Sequence, residues 1–178
     1  MQNVVVKERV FSPFIRYEAI KLRLAEMAES INNDYAAKTP VFLAVLNGSF
    51  FFAADLLKVI KVPCRISFIK LSSYNGMSSN GAARTIIGLD EDLSGQDVII
   101  LEDIVDSGVT MVGLVQKLSE KNLASLRIAT LLHKPAAAKE FVKLDYVGFE
   151  IDNKFVLGYG LDYDGFGRNY KDIYQLAE

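Results

Sequence analysis

Val98-Ile99-Ile100-Leu101-Glu102-Asp103-Ile104-Val105-Asp106-Ser107-Gly108-Val109-Thr110 is the stretch whose reading decides the fold. Its first four residues are apolar and mostly β-branched, a run suited to a strand buried on both faces, as in a parallel sheet. The run stops at two adjacent carboxylates, and a third, Asp106, opens a turn containing Ser107, Gly108 and Thr110. Helical spacing follows at Met111, Leu114, Val115 and Leu118. Strand, tight turn and helix in that order place the turn beyond the carboxyl end of a strand, where open α/β sheets bind ligands. The unpaired N–H groups at the head of the helix suit a phosphate. Gly108 lets the backbone approach closely, and Ser107 and Thr110 add hydroxyl donors.

Three carboxylates repel a phosphate, so a ligand with two different ends is the natural partner. The turn takes the phosphate, while Glu102 and Asp103 accept hydrogen bonds from sugar hydroxyls or hold a hydrated magnesium ion. A phosphorylated ribose has that shape. Taken as pattern alone, the same residues also suit an acidic surface turn in which Asp106 or Ser107 is an N-cap.

The neighbouring chain repeats the unit. Val41 to Leu46 is a second short apolar run; it stops at Asn47-Gly48-Ser49, and Phe50 to Ile60 carries helical spacing. Asn47-Gly48 reads either as a plain turn or as a loop shaped by Gly48 to approach a phosphorylated ligand. Arg65 to Leu71 alternates like a strand and runs into the small, polar, glycine-containing segment 72–81, which should be mobile; Arg84 to Leu89 returns as a strand and completes a hairpin arm. Leu126 to Leu132 is a further buried strand with His133-Lys134-Pro135 at its end. The single histidine has no paired ligand and reads as structural, whereas the Lys134 ammonium could donate to a carbonyl oxygen. Upstream, Tyr17 to about Asn32 reads as an amphipathic helix. Downstream, Tyr146 to Phe155 reads as strand–turn–strand, with Tyr146 and Phe149 in the core.

Composition sets the class. A chain of 178 residues, about half of them hydrophobic, fits one domain with a sizeable core. A net charge of −2 gives no electrostatic reason to expect nucleic acid or an anionic membrane surface. Cys64 is alone, which points to a reducing cytoplasm and to a small buried hydrophobe. Residues 1–10 carry no signal-peptide pattern, and no apolar run is long enough to span a bilayer.

The stretch 98–110 closely resembles the phosphoribosyl-pyrophosphate motif of type I phosphoribosyltransferases: apolar strand, Glu-Asp, two apolar residues, Asp, and a loop with Gly and Thr. Residues 147–151 through Leu161-Asp162-Tyr163 resemble the C-terminal segment of the members that use 6-oxopurines. The resemblance spans about Val41 to Arg168 and implies an α/β fold, a central mostly parallel sheet flanked by helices. To this it adds a small hood and a flexible β-arm lid. It implies one domain over residues 1–178, with a core of about 36–145 and a hood built from the N-terminal segment and about 146–178.

The resemblance also implies chemistry: transfer of a 5-phosphoribosyl group from phosphoribosyl pyrophosphate to N9 of hypoxanthine and guanine, in purine salvage. Glu102 and Asp103 would grip the ribose, Asp106 would act as general base near purine N7, and Asp106, Ser107, Gly108, Val109 and Thr110 would cradle the 5′-phosphate. Asn47, Gly48 and Arg168 would meet pyrophosphate, Asn47 standing where many relatives carry lysine. Lys134 would read the 6-oxo group, Phe155 would stack on the purine, Val156 would offer backbone groups to its edge, and Asp162 would lie beside it. Magnesium would be held by Asp162 with Glu102 and Asp103, and Ser73-Tyr74 would sit on the catalytic lid. A homodimer or homotetramer is implied, without nucleic-acid or membrane partners. The alternatives are a xanthine- or guanine-preferring enzyme and a related RNA-binding regulator of pyrimidine operons, which would need a basic face that 20 basic against 22 acidic residues do not advertise.

Overall fold

The computed structural model describes residues 2–72, 84–87 and 91–177. Ser73 and Tyr74, the proposed lid pair, lie outside the described residues. Two sheets are present. The large one contains β3 (Val41–Leu46), β4 (Arg65–Ser72), β5 (Arg84–Ile87), β6 (Asp97–Val105), β7 (Ser125–His133) and β8 (Tyr146–Glu150). Its order is β5-β4-β3-β6-β7-β8; five strands are parallel, and β5 returns antiparallel to β4 as the expected arm. The small antiparallel sheet has the order β1-β2-β10-β9, from β1 (Val4–Val6), β2 (Arg9–Ile15), β10 (Ile173–Leu176) and β9 (Val156–Leu157).

The apolar runs explain the layering. Successive side chains of a strand face opposite sides, so Phe42, Ala44, Ile99 and Leu101 join one core with helices α1 (Tyr17–Asp34) and α2 (Phe50–Leu57). Val41, Leu43, Val98 and Ile100 join the other, under Met111, Leu114 and Leu118 of α3 (Val109–Ser119). From β3 the chain winds outward through α2 to β4, and from β6 it winds the other way through α3 to β7. The order therefore reverses between β3 and β6, and a crevice opens at their carboxyl ends.

Four local expectations change. The central strand does not stop at Leu101: β6 runs on to Val105, because Glu102, Ile104 and Val105 keep pairing with Thr130, Leu132 and His133 of β7. Pairing with β3 ends at Ala44–Leu101, so Glu102 and Asp103 belong to a strand that has outrun one neighbour. The strand–turn–strand expected over 146–155 is one strand, β8, and a turn; the next strand begins at Val156 in the other sheet. The helix expected to reach Ile60 ends at Leu57. Cys64, expected in the core, is exposed in the connection to β4, where Val62 takes the packing position instead.

Tyr146 is buried and Phe149 packs against the same core, as expected. β8 pairs with β7, so residues 146–150 extend the large sheet. Arg23 of α1 donates to the carbonyl oxygens of Val147 (2.7 Å) and Gly148 (2.7 Å) on this edge strand, covering groups that would otherwise invite another strand. The small sheet is tied to α1 by Asp172, 4% exposed, whose Oδ1 accepts from Tyr17 N at 2.8 Å and satisfies a free amide of the first helical turn.

Candidate active site

The crevice at the strand reversal is a cavity of about 300 Å³, lined by Val45 and Leu46 at the end of β3, Leu71 of β4, and the β6–α3 segment through Met111. Glu102, Asp103, Asp106, Ser107, Gly108 and Thr110 all face it. The expected sugar and phosphate contacts are therefore brought together, with Val109 beside them as the first residue of α3. The turn is shaped by Gly108, at φ +79°, a conformation that a side chain disfavours. A Cβ there would also meet the Glu140 carbonyl oxygen at 2.6 Å. The Ser107 carbonyl accepts from the backbone N–H groups of Lys139 (3.0 Å) and Glu140 (3.1 Å), which brace the turn from behind.

Glu102 and Asp103 are 9% and 8% exposed, unusual for two adjacent acids. Burial, together with the neighbouring Asp103 charge, pushes the Glu102 carboxyl well above the usual carboxylate range. Burial also raises Asp103, opposed by a hydrogen bond from Glu102, by the Ile104 N–H on Oδ1 (3.0 Å) and by the Arg168 charge. Of the two, Glu102 is pushed further towards its protonated form. A buried pair of acids fits a cation or a set of hydroxyl donors. Magnesium is commonly held by one or two carboxylates plus substrate oxygens, and among the described residues no cluster of three acidic, histidine or cysteine side chains forms a ready-made cage.

Asp106 stands half-exposed at the mouth, and its Oδ2 takes the Lys134 ammonium at 3.0 Å. The Lys134 side chain is only 8% exposed, and its backbone N–H is anchored on the Val105 carbonyl at 3.0 Å. Sequence reasoning picked out both residues but not their pairing, which arises because β7 ends level with β6: Val105 pairs with His133. His133 is partly buried, its Nδ1 3.7 Å from Glu150 Oε1, in a structural position beside the edge strand.

The loop after β3 packs against Asp103. The Leu46–Asn47 peptide is cis; Asn47 is exposed and Gly48 buried. Ser49 Oγ donates to the Val45 carbonyl at 2.6 Å and folds the turn back on the strand. A Cβ on Gly48 would lie 1.6 Å from Asp103 Oδ2, so this glycine is required by the carboxylate beside it. Above it, a Cβ on Gly160 would lie 2.0 Å from the Gly48 carbonyl oxygen. Close approach of loop to carboxylate and of hood to loop was not legible from the Asn47-Gly48 dipeptide.

Asp162 and Arg168 come from the hood. They form an ion pair at 2.6 Å; Arg168 Nη1 also donates to the Gly160 carbonyl at 2.6 Å, and the Gly165 N–H donates to Asp162 Oδ2 at 2.6 Å. Asn47, Gly48, Asp162, Arg168, Phe155, Val156 and Lys134 do not line the cavity itself. Phe155 is 46% exposed and packs on Phe11 (6.2 Å) and Tyr163 (5.7 Å). Val156 is buried in β9, an edge strand of the small sheet. Two residues with no advance signal meet outside this cavity, between α2 and the hood: Asp55 accepts from Tyr159 Oη at 2.8 Å. An aspartate inside an amphipathic helix reads as a solvent-facing residue, and Tyr159 reads as one aromatic among several.

Comparison with known proteins agrees with this geometry. The family model described as phosphoribosyl transferase domain matches residues 16–164. The chain is 43% identical over 169 residues to the hypoxanthine-guanine phosphoribosyltransferase of Mycobacterium tuberculosis, covering 91% of this chain and 82% of that protein. It is 38% identical over 160 residues to the Bacillus subtilis protein of the same name, covering 89% of each. A crystal structure of a Bacillus anthracis hypoxanthine-guanine phosphoribosyltransferase superposes with a TM-score of 0.89 at 35% identity, over 93% of this chain and 98% of that one. With the family model covering most of its length and these relatives matching over about nine-tenths of it, the chain belongs to the phosphoribosyltransferase family.

Proposed function

We propose that the protein transfers the 5-phosphoribosyl group of phosphoribosyl pyrophosphate to N9 of hypoxanthine and of guanine, releasing pyrophosphate, in purine salvage. The observation that carries this reading is the Lys134–Asp106 pair at the mouth of a crevice whose floor is two buried carboxylates. A cation and an anion 3.0 Å apart match the 6-oxo oxygen and the N7–H edge of a purine.

In the proposed reaction the C1′–O bond to pyrophosphate breaks ahead of bond formation to N9, so positive charge grows on the ribose and negative charge on the leaving group. Stabilising developing charge with groups already in place is usually the largest catalytic contribution. Glu102 and Asp103 orient the ribose hydroxyls and thereby the anomeric carbon. The turn Asp106–Thr110 holds the 5′-phosphate on the free amides of α3. Asp106 takes the purine proton at N7 as N9 becomes the nucleophile, and Lys134 meets the 6-oxo oxygen. Arg168 and the amides of the Asn47–Gly48 loop receive pyrophosphate. Phe155 covers the purine face, and Val156 offers its backbone. Substrate oxygens with Asp162 and either Glu102 or Asp103 would hold magnesium, which would neutralise the pyrophosphate charge when bound.

We place the protein in the cytoplasm, as the lone exposed thiol suggests. Among the described residues no helix is long and apolar enough to cross a membrane. We assign it a homodimeric or homotetrameric state, in keeping with the family, to be read by light scattering.

The test is incubation with phosphoribosyl pyrophosphate, magnesium and hypoxanthine, guanine, xanthine or adenine separately. Inosine and guanosine monophosphates are expected. Turnover of xanthine in preference to hypoxanthine would reassign the specificity. Salt-sensitive binding of RNA without nucleotide formation would replace the enzyme by a regulator.

A further inference from the structure

Tyr159 occupies a position that chain chemistry disfavours. It is 2% exposed and sits at φ +49° between Gly158 (φ +97°) and Gly160 (φ +101°), three successive left-handed residues with a bulky aromatic in the middle. Only Gly adopts that region without cost, so the surroundings must hold Tyr159 there. Backbone bonds do part of this: Tyr159 N donates to the Tyr170 carbonyl at 2.7 Å and Gly160 N to the Arg168 carbonyl at 3.0 Å. The side chain does the rest. Its ring stacks on Phe51 with centroids 5.8 Å apart, and its hydroxyl donates to Asp55 Oδ2 at 2.8 Å.

Asp55 is the other half of the contact. Its side chain is 15% exposed and also accepts from Tyr17 Oη (3.2 Å) and Lys58 Nζ (2.8 Å). These donors hold its carboxyl below the usual range despite burial. Asp55 lies on α2, the helix that begins directly after the Asn47–Gly48–Ser49 loop. Tyr159 lies one residue before Gly160, which touches Gly48 and accepts from Arg168. The hydrogen bond therefore joins the helix carrying the pyrophosphate loop to the hood segment carrying Arg168 and Asp162.

We infer that Tyr159 and Asp55 are positioning residues that fix the separation of the Gly48 loop from the Arg168–Asp162 pair, and so set the grip on the pyrophosphate end of the substrate. This rests on the proposed function for the identity of the ligand. Neither residue touches the ligand; the effect passes through Gly160 and α2. Losing the bond lets hood and loop separate while the Lys134–Asp106 end, held by β6 and β7, stays in place. The grip on pyrophosphate then weakens while recognition of the purine does not.

The experiment compares the parent protein with Tyr159→Phe, Asp55→Ala, Asp55→Asn and the Tyr159→Phe/Asp55→Ala double variant. Its readouts are KM for phosphoribosyl pyrophosphate, KM for hypoxanthine, and calorimetric binding of magnesium pyrophosphate. Y159F and D55A should each raise the phosphoribosyl-pyrophosphate KM and the pyrophosphate Kd about tenfold, the scale of one hydrogen bond to a charged acceptor. The hypoxanthine KM should move less than about twofold, and the double variant should be no worse than Asp55→Ala alone, because the Tyr159–Asp55 bond is already lost there. D55N keeps an acceptor oxygen and should recover most of the loss. If Y159F does not fold, the contrast between D55A and D55N carries the test. Pyrophosphate binding unchanged in folded variants, equal rises for both substrates, or a fall in Tm alone would each overturn the inference. A parent that forms no nucleotide refutes the proposed transferase activity instead, and calorimetry still reports on this contact.

Discussion

The floor and the hood of the crevice hold their charged groups by opposite means. The floor is the tip of β6, whose acids are held by the repeating ladder of a parallel sheet and stay buried beside one another. The hood, residues 158–168, has almost no ladder; it is held in left-handed turns by single hydrogen bonds, and its Asp162 and Arg168 neutralise each other. The floor therefore carries an unbalanced charge on a rigid backbone, ready for a ligand's hydroxyls or a cation. The hood carries a balanced pair on an irregular backbone, and a ligand must divide it. Buried acids belong to the element whose backbone is fixed by a ladder, because a softer one would let them relax into water.

Substitutions at the floor should therefore damage the chemical step, and those at the seam should damage binding. The largest effect is expected for Asp106→Asn: turnover should fall on the order of 10²–10⁴-fold with little change in phosphoribosyl-pyrophosphate KM, as single-turnover kinetics would read. An active Asn variant removes Asp106 from the base role. Next is Gly48→Ala, at the seam itself. Its methyl would overlap Asp103 Oδ2, so carboxylate or loop must shift, and KM for phosphoribosyl pyrophosphate should rise about 10²-fold. A rise in the hypoxanthine KM alone would mean that the loop serves the base.

Lys134→Ala should raise the KM for hypoxanthine and guanine about 10–30-fold, because a charged donor to the 6-oxo group is lost. Equal losses for an adenine analogue would show that Lys134 supports Asp106 and does not read the base. The smallest effect should be on stability. Glu102 has a raised pKa in the fold, so the folded protein retains a proton that the unfolded chain releases. Stability therefore falls as pH climbs from the ordinary carboxylate value through the folded one. Glu102→Gln removes that penalty and should be more stable than the parent by about 0.5–2 kcal/mol at neutral pH and above, in exchange for activity. The gap should close in acid, where the parent holds its proton in both states. Denaturant melts across the pH range check this, and a gap independent of pH would show that Glu102 is ionised in the fold.

The same contrast explains what could be read from sequence. The parallel core was legible because buried strands are unbroken apolar runs, and Val41–Leu46 and Val98–Leu101 are such runs. Asp106, Gly108 and Thr110 were legible because a turn before a helix needs small and polar residues in fixed order. Continuation of β6 through Glu102 and Asp103 was hidden, since adjacent acids ordinarily end a strand; here β7 supplies the pairing. Cys64 was misplaced because a small thiol carries no periodicity of its own. The Asp55–Tyr159 bond and the approach of Gly160 to Gly48 span over a hundred residues of sequence and leave no local trace. Local patterns specify repeating backbone; they say little about contacts closed by a single side chain.

The position of β10 has a consequence for how the molecule comes into being. Residues 173–176 lie between β2 and β9, inside the small sheet, although the whole large sheet separates them from β2 in the chain. On the ribosome, every strand of the large sheet emerges before β10 and can assemble with its helices, whereas β2, translated ahead of them, must wait for its inner partner until synthesis reaches Ile173. Asp172, which caps α1, arrives equally late. A nascent chain can thus complete its large sheet while the small one is still open, and the small sheet closes only once β10 is threaded between β2 and β9.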